Sequence, residues 1–170
     1  RYFVRLFEKE TDMNCYLLVD TSGSMEFGGA FSRSALPEAG LSKLDYACYL
    51  AAALTYLMIK QGDKVGMTLF DEKVNAHVPP GGAYRHMYEI LSAMEGCTAG
   101  NPTSISKALH TVYGLFKRRG LLIIISDVLD EPEEIFPALK RYTHRKFEIL
   151  LLHVFHTYAA SLPAVARANF

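Results

Sequence analysis

The chain has 170 residues, 50% of them hydrophobic, and its 18 Lys and Arg balance 18 Asp and Glu. That length suits one domain burying roughly 70% of its extended-chain surface, a core that needs neither disulfides nor a structural metal. The balanced charge excludes a generic polyanion or nucleic-acid binder, leaving only a local basic patch open, and 10 Phe with 10 Tyr exclude a disordered chain.

Residues 1–12 read as a lead-in from a longer chain, because the sequence starts at Arg1 rather than Met and neither end has a signal-peptide pattern. Cys15-Tyr16-Leu17-Leu18-Val19, ending at Asp20, is an unbroken apolar run of strand length. Such runs suit strands covered on both faces of a parallel sheet. Phe27 to Gly40 has no strand or helix period and reads as an irregular loop beside the end of that strand. Ser42 with Asp45 forms a near capping box, and Leu44, Cys48, Ala51, Ala52 and Thr55 then repeat on one helical face until Gly62. Val65 to Phe70 is a second strand. Only Asp71-Glu72 separates it from Lys73–Val78, so the two must pair as a hairpin, with the later strand ended by Pro79-Pro80-Gly81-Gly82.

A short helix follows over Tyr84–Met94, and a longer one is predicted from Ile105 to Phe116, up to Gly120. Leu121 to Ile125, ending at Ser126-Asp127, is another strand. Asp130 is the predicted cap of a helix opened by Pro132, Glu133 and Glu134, which Pro137 should kink or shorten. Phe147 to Phe155 is the last strand, and residues 158–170 read as a tail or the start of a further element. The order predicts an α/β fold: a doubly wound, mostly parallel central sheet with one antiparallel edge strand and helices on both faces. The longest apolar run, Ala47 to Ile59, is interrupted by Thr55 and falls short of the ~18 residues a membrane span needs. Cys15, Cys48 and Cys97 are odd in number and too widely spaced for a knuckle or a CxxC site. They read as three small buried hydrophobes of a reducing compartment.

Sites in open α/β sheets form at the carboxyl ends of strands. Two polar clusters fall there: Asp20-Thr21-Ser22-Gly23-Ser24-Met25 and Ser126-Asp127. A third, Gly100-Asn101-Pro102-Thr103, precedes a helix. Asp20, Ser22 and Ser24 alternate, so their oxygens can converge. With Thr103 and Asp127 they offer two carboxylates and three hydroxyls, an all-oxygen set suited to Mg²⁺, Mn²⁺ or Ca²⁺ rather than zinc. Neutral hydroxyl ligands leave positive charge on such an ion, which would seek a further anionic oxygen, such as an Asp or Glu of a partner protein.

Asp20-x-Ser22-x-Ser24, with Met25 and the strand before it, resembles the metal-ion-dependent adhesion site of von Willebrand factor A domains. Thr103 matches that family's threonine ligand and Asp127 its aspartate on the third loop. The resemblance runs from about Met13 to Phe155 and sets the domain at residues 13–157. It is closer still to the bacterial DUF58 family, through Leu6–Glu10, Ala51–Leu57, Gly62–Phe70 and Arg119–Asp130. It implies a von Willebrand A or Rossmann-like fold and a bound divalent cation; the lack of a general base or nucleophile placed near such an ion reads as a non-enzymatic role. It also implies work beside a MoxR-type AAA+ ATPase, in the cytoplasm or with the full-length protein at a membrane. The second loop departs from the family's Gly-Gly-Thr-Asp run, reading Asn101-Pro102-Thr103-Ser104, so metal affinity is expected to differ from the family norm.

Rival readings fit less well. Asp-Thr-Ser-Gly is also an aspartic-protease motif, but no second copy is present and the helical periods contradict a β-rich enzyme. A dehalogenase-type phosphatase would want an acid where Ser22 stands. Asp20 as a mere cap leaves Ser24, Thr103 and Asp127 unexplained. Asp71-Glu72 reads best as a charged turn, with a place on the rim of the site as the alternative, since it follows a strand's carboxyl end; Asn101 reads as a turn residue. The six histidines show no zinc spacing. The leading reading is a metal-dependent protein-interaction module. The alternatives are a metal-dependent phosphohydrolase and a scaffold whose metal site is vestigial.

Overall fold

A computed structural model describes residues 13–27 and 41–156. The lead-in at 1–12, most of the irregular loop (28–40) and the tail at 158–170 lie outside the described residues. Five strands form one sheet in the order β3-β2-β1-β4-β5. They are β1 (Asn14–Asp20), β2 (Lys64–Phe70), β3 (Val74–Gly81), β4 (Gly120–Ser126) and β5 (Glu148–His153). β1 pairs in parallel with both β2 and β4, β4 pairs in parallel with β5, and β3 runs antiparallel along β2. The expected mixed sheet with one antiparallel edge strand is therefore present.

β1 is central because it is apolar on both faces. Cys15, Leu17 and Val19 pack on one side with Met25, Ala47, Ala51, Met67, Ile90 and Ile125. Tyr16 and Leu18 pack on the other with Phe70, Ile105, Leu109, Phe116, Ile124 and Tyr142. The first face is covered by α1 (Lys43–Lys60) and α2 (Tyr84–Glu95), the second by α3 (Ile105–Val112) and α4 (Pro132–His144). Each buried large aliphatic side chain stabilises the fold by ~1.5–3 kcal/mol, so the two clusters hold the strand ends rigidly.

Several local expectations are corrected. The capping box of Ser42 and Asp45 forms in full, and Gly62, at φ 90°, ends α1 as expected. α3 stops at Val112 rather than Phe116. Phe116 still becomes buried, because the turn after Gly114 brings its ring 4.2 Å from that of Tyr16. α4 runs through Pro137 to His144, and its N-cap is Glu131, not Asp130. Asp130 instead accepts from the Ser106 backbone N–H at 3.2 Å, joining α3 to the loop before α4. β3 continues past Val78 through both prolines to Gly81. A sheet edge tolerates this, since a proline there forfeits no ladder donor the sheet needs. β5 is shorter than the apolar run Phe147–Phe155.

Candidate functional site

The loops after β1 and β4 and the segment before α3 meet at the carboxyl edge of the sheet. Asp20 is the last residue of β1 and is fully buried. Its Oδ1 accepts the Ser22 N–H at 2.8 Å. Its Oδ2 accepts the Thr103 hydroxyl at 3.0 Å and the Ser126 hydroxyl at 2.5 Å. Burial pushes the Asp20 carboxyl above its usual value, although the Ser126, Ser22 and Thr103 hydrogen bonds pull the other way. Ser22 and Ser24 place their hydroxyl oxygens 3.0 Å apart. A 3-10 turn over Gly23–Glu26, with Met25 buried in the core, sets this spacing.

The second loop is stitched to the first. Ser22 bridges Gly100, the Gly23 N–H donates to the Asn101 carbonyl at 2.9 Å, and the Gly100 N–H donates to the Thr21 carbonyl at 3.1 Å. A side chain at position 23 would place its Cβ 2.8 Å from the Gly100 carbonyl oxygen, so only glycine permits this approach. Pro102 does not prevent Thr103 from reaching Asp20.

Asp127 follows β4 and is buried. Its Oδ2 lies 2.6 Å from the Lys43 ammonium, on the first turn of α1. Its Oδ1 is buried with no hydrogen-bond partner among the described residues. The next residue, Val128, takes a left-handed backbone at φ 53°, and its N–H donates to the Ser126 hydroxyl at 2.9 Å. The fold thus brings Asp20, Ser22, Ser24 and Thr103 into one hydrogen-bonded group. Asp127 joins it only through its neighbour Ser126 and turns one oxygen to Lys43.

Sequence reasoning missed one contributor and undervalued two. Lys43 is 84 residues from Asp127 and carries no local signal. Ser126 was in view only as the neighbour of Asp127. Asp71, read first as a charged turn with a rim position as the alternative, is only 2% exposed. Its carboxylate accepts the Lys73 N–H at 3.0 Å and the side-chain amides of Asn75 and Asn101 at 2.9 Å each. Burial alone would raise its carboxyl; the two amides and Lys73 outweigh this and hold it below the usual value. Its backbone carbonyl also accepts the Ser104 N–H at 3.3 Å. Asp71 therefore anchors the loop that presents Thr103, and Asn101 is the link. Asp71, Lys73, Asn75 and Asn101 line an open cavity of about 390 Å³.

The donor set fits a hard divalent cation. Every candidate ligand is oxygen, Thr103 keeps its lone pairs after donating to Asp20, and Asp127 Oδ1 is buried without a partner. Among the described residues no group of three or more His, Cys, Asp or Glu converges as for a metal ion. The set here has only two carboxylates.

The model of the family described as "Protein of unknown function DUF58" matches residues 1–170. The chain belongs to the DUF58 family. This DUF58 chain is 27% identical over 165 residues to the uncharacterized protein Mb1516 of Mycobacterium bovis, covering 95% of the chain and 49% of that protein. It spans about half the length of the curated relatives it matches. Among solved structures it is similar to an aerotolerance-related membrane protein from Bacteroides fragilis. That likeness has a TM-score of 0.65 and 20% identity over 84% of this chain and 67% of the other. It is also similar to a von Willebrand factor type A protein from Catenulispora acidiphila, with a TM-score of 0.56 and 15% identity over 82% and 32%. These likenesses establish the von Willebrand A fold. No helix among the described residues is long and apolar enough to cross a membrane.

Proposed function

We propose that this DUF58 domain docks a partner protein through a divalent cation, Mg²⁺ or, in its place, Mn²⁺ or Ca²⁺. Asp20, Ser22, Ser24, Thr103 and Asp127 would hold the ion, and an Asp or Glu of the partner would complete its shell. Two observations carry this reading: Asp127 Oδ1 is buried without a partner among the described residues, and Ser126, the residue before it, shares the Asp20 carboxylate with the Thr103 hydroxyl. A buried carboxylate oxygen without a donor is costly unless a cation meets it. Hydroxyls suit that task because each can turn from donating to a carboxylate to offering a lone pair to a metal. A MoxR-type AAA+ ATPase as the partner, and a cytoplasmic setting, rest on family resemblance alone.

Titration with Mg²⁺ and Mn²⁺ by calorimetry, with a thermal-melt shift beside it, tests the reading. One ion per chain is expected to bind, with binding lost in Asp20→Ala and weakened in Thr103→Ala. Equal behaviour of wild type and Asp20→Ala would refute it. The scaffold reading draws on one observation, the Lys43 ammonium already paired with Asp127. It would be favoured by partner binding that ignores a chelator.

A further inference from the structure

We propose that Lys43 is a tethered cation that contends with the divalent ion for Asp127 and so makes metal loading conditional. The inference rests on the metal-docking reading above and adds a regulating residue to it.

Lys43 is an unfavourable residue for its position. It is the first residue of α1, where the helix dipole presents partial positive charge and disfavours a cation. The capping box of Ser42 and Asp45 starts the helix without it. Yet its side chain is only 12% exposed, against 4% for Asp127, and its ammonium sits 2.6 Å from Asp127 Oδ2. The backbone aims it there: the Lys43 N–H donates to the Phe27 carbonyl at 3.1 Å, fixing the helix start against the end of the Asp20–Met25 loop. The Phe27 ring lies 5.8 Å from the ammonium and covers it on one side.

The charge count follows. Asp20 and Asp127 carry two negative charges toward the edge, and Lys43 returns one positive charge. A divalent ion using Asp127 meets a carboxylate already neutralised, and like charges in a half-dry site repel strongly. Lys43 holds Oδ2 and leaves Oδ1 open, so the ion can bind beside the ammonium but binds far more weakly than when the ammonium has swung out. Apparent affinity falls by the fraction of time the ammonium is away from Asp127. A partner carboxylate adds the negative charge that would let ion and ammonium coexist, so metal and acidic partner would bind together more tightly than either alone.

The experiment is Mn²⁺ titration of wild type, Lys43→Met, Lys43→Arg, Asp127→Asn, the Lys43→Met/Asp127→Asn double variant and Asp20→Ala. Lys43→Met is expected to bind Mn²⁺ about tenfold more tightly than wild type, as when the ammonium is withdrawn only about a tenth of the time. Lys43→Arg keeps the charge and should stay near wild type. In the Asp127→Asn background, Lys43→Met should change affinity little, because the gain needs the aspartate. Saturating Mn²⁺ should also speed acetylation of the Lys43 amine in wild-type protein, a readout that survives if Lys43→Met folds poorly. Unchanged or weaker binding in Lys43→Met, or acetylation indifferent to Mn²⁺, overturns the proposal. If wild type binds and Asp20→Ala does not, that failure belongs to Lys43 alone. If wild type and Asp20→Ala are alike, the metal reading fails and takes this inference with it.

Discussion

Asp20 and Asp71 sit at the carboxyl ends of neighbouring parallel strands, both buried, one at the last residue of β1 and the other just after β2. Their partners differ in kind. Asp71 is held by a backbone N–H and two side-chain amides, groups that only donate toward it. Asp20 is held by one backbone N–H and two hydroxyls. An amide nitrogen cannot ligate a cation, whereas a hydroxyl oxygen can. The carboxyl groups follow suit: Asp71 is held below its usual value, and burial pushes Asp20 above its own. Asp71 is a closed structural knot, and Asp20 is a site open to re-coordination. The knot serves the site, because Asn101 and Ser104, on either side of Thr103, are both fastened to Asp71.

The largest effect should separate these two acids by stability. Asp71→Ala strands an N–H and two amides, and such orphaned donors cost ~1–3 kcal/mol each before water from the adjoining cavity relieves part of it. We expect a net loss of ~2–3 kcal/mol in urea unfolding. Asp20→Ala should lose ~1 kcal/mol, since rotatable hydroxyls find other acceptors, while it abolishes metal binding. A reversed order of the two losses would break the distinction between knot and site.

A narrower test strikes the seam between the Asp20 and Thr103 loops and leaves the Asp71 knot alone. Gly23→Ala drives a Cβ against the Gly100 carbonyl, a backbone atom with little freedom to yield. The loops must part, at ~1–3 kcal/mol for overpacking, and Thr103 should withdraw from Asp20. Mn²⁺ affinity is then expected to fall several-fold in calorimetry. Unchanged affinity would mean that Thr103 contributes nothing to holding the ion.

The same contrast explains what was legible in the sequence. Local chemistry was readable. The unbroken runs of β1 and β4 announced strands covered on both faces, the two-residue gap at Asp71-Glu72 forced a hairpin, and Ser42 with Asp45 marked the start of α1. The Asp20, Ser22, Ser24, Thr103 group was legible as a pattern, and the fold does gather it. What stayed hidden depends on residues distant in the chain. Asp71 looks like a turn acid until Asn101, 30 residues on, arrives beside it. Lys43 looks like an ordinary helix lysine until the sheet order sets β4 next to β1 and brings Asp127 within reach. The helix ends were misplaced for a related reason. Phe116 keeps the helical hydrophobic period but gains its burial through a turn, and periodicity alone does not tell the two apart.

The smallest effect concerns a pair hidden in the same way. Cys48 on α1 and Cys97 after α2 are 49 residues apart, yet their sulfurs lie 3.7 Å from each other. Only Cys15 fits the expectation of three buried cysteines; Cys48 and Cys97 are half-buried. Either sulfur can donate in this contact; sharing one proton between them draws the Cys97 thiol down from 9.0 to about 7 and raises the Cys48 thiol well above its usual range. The lowered Cys97 thiol adds stability that is full above pH 9 and is lost as pH falls through about 7, whereas the raised Cys48 thiol removes stability only above pH 9, so a denaturation curve shows the gain only within that narrow window. Reactivity is therefore the sharper readout, because only the thiolate attacks an alkylating agent. Alkylation of Cys97 by iodoacetamide should rise with pH to half its maximum near pH 7, and Cys48→Ala should move that midpoint up toward 9. A midpoint near 9 in the wild-type protein would mean that the two sulfurs do not share a proton. It would leave the loop from Cys97 to Thr103 tied down by Asp71 and Thr21 without help from α1.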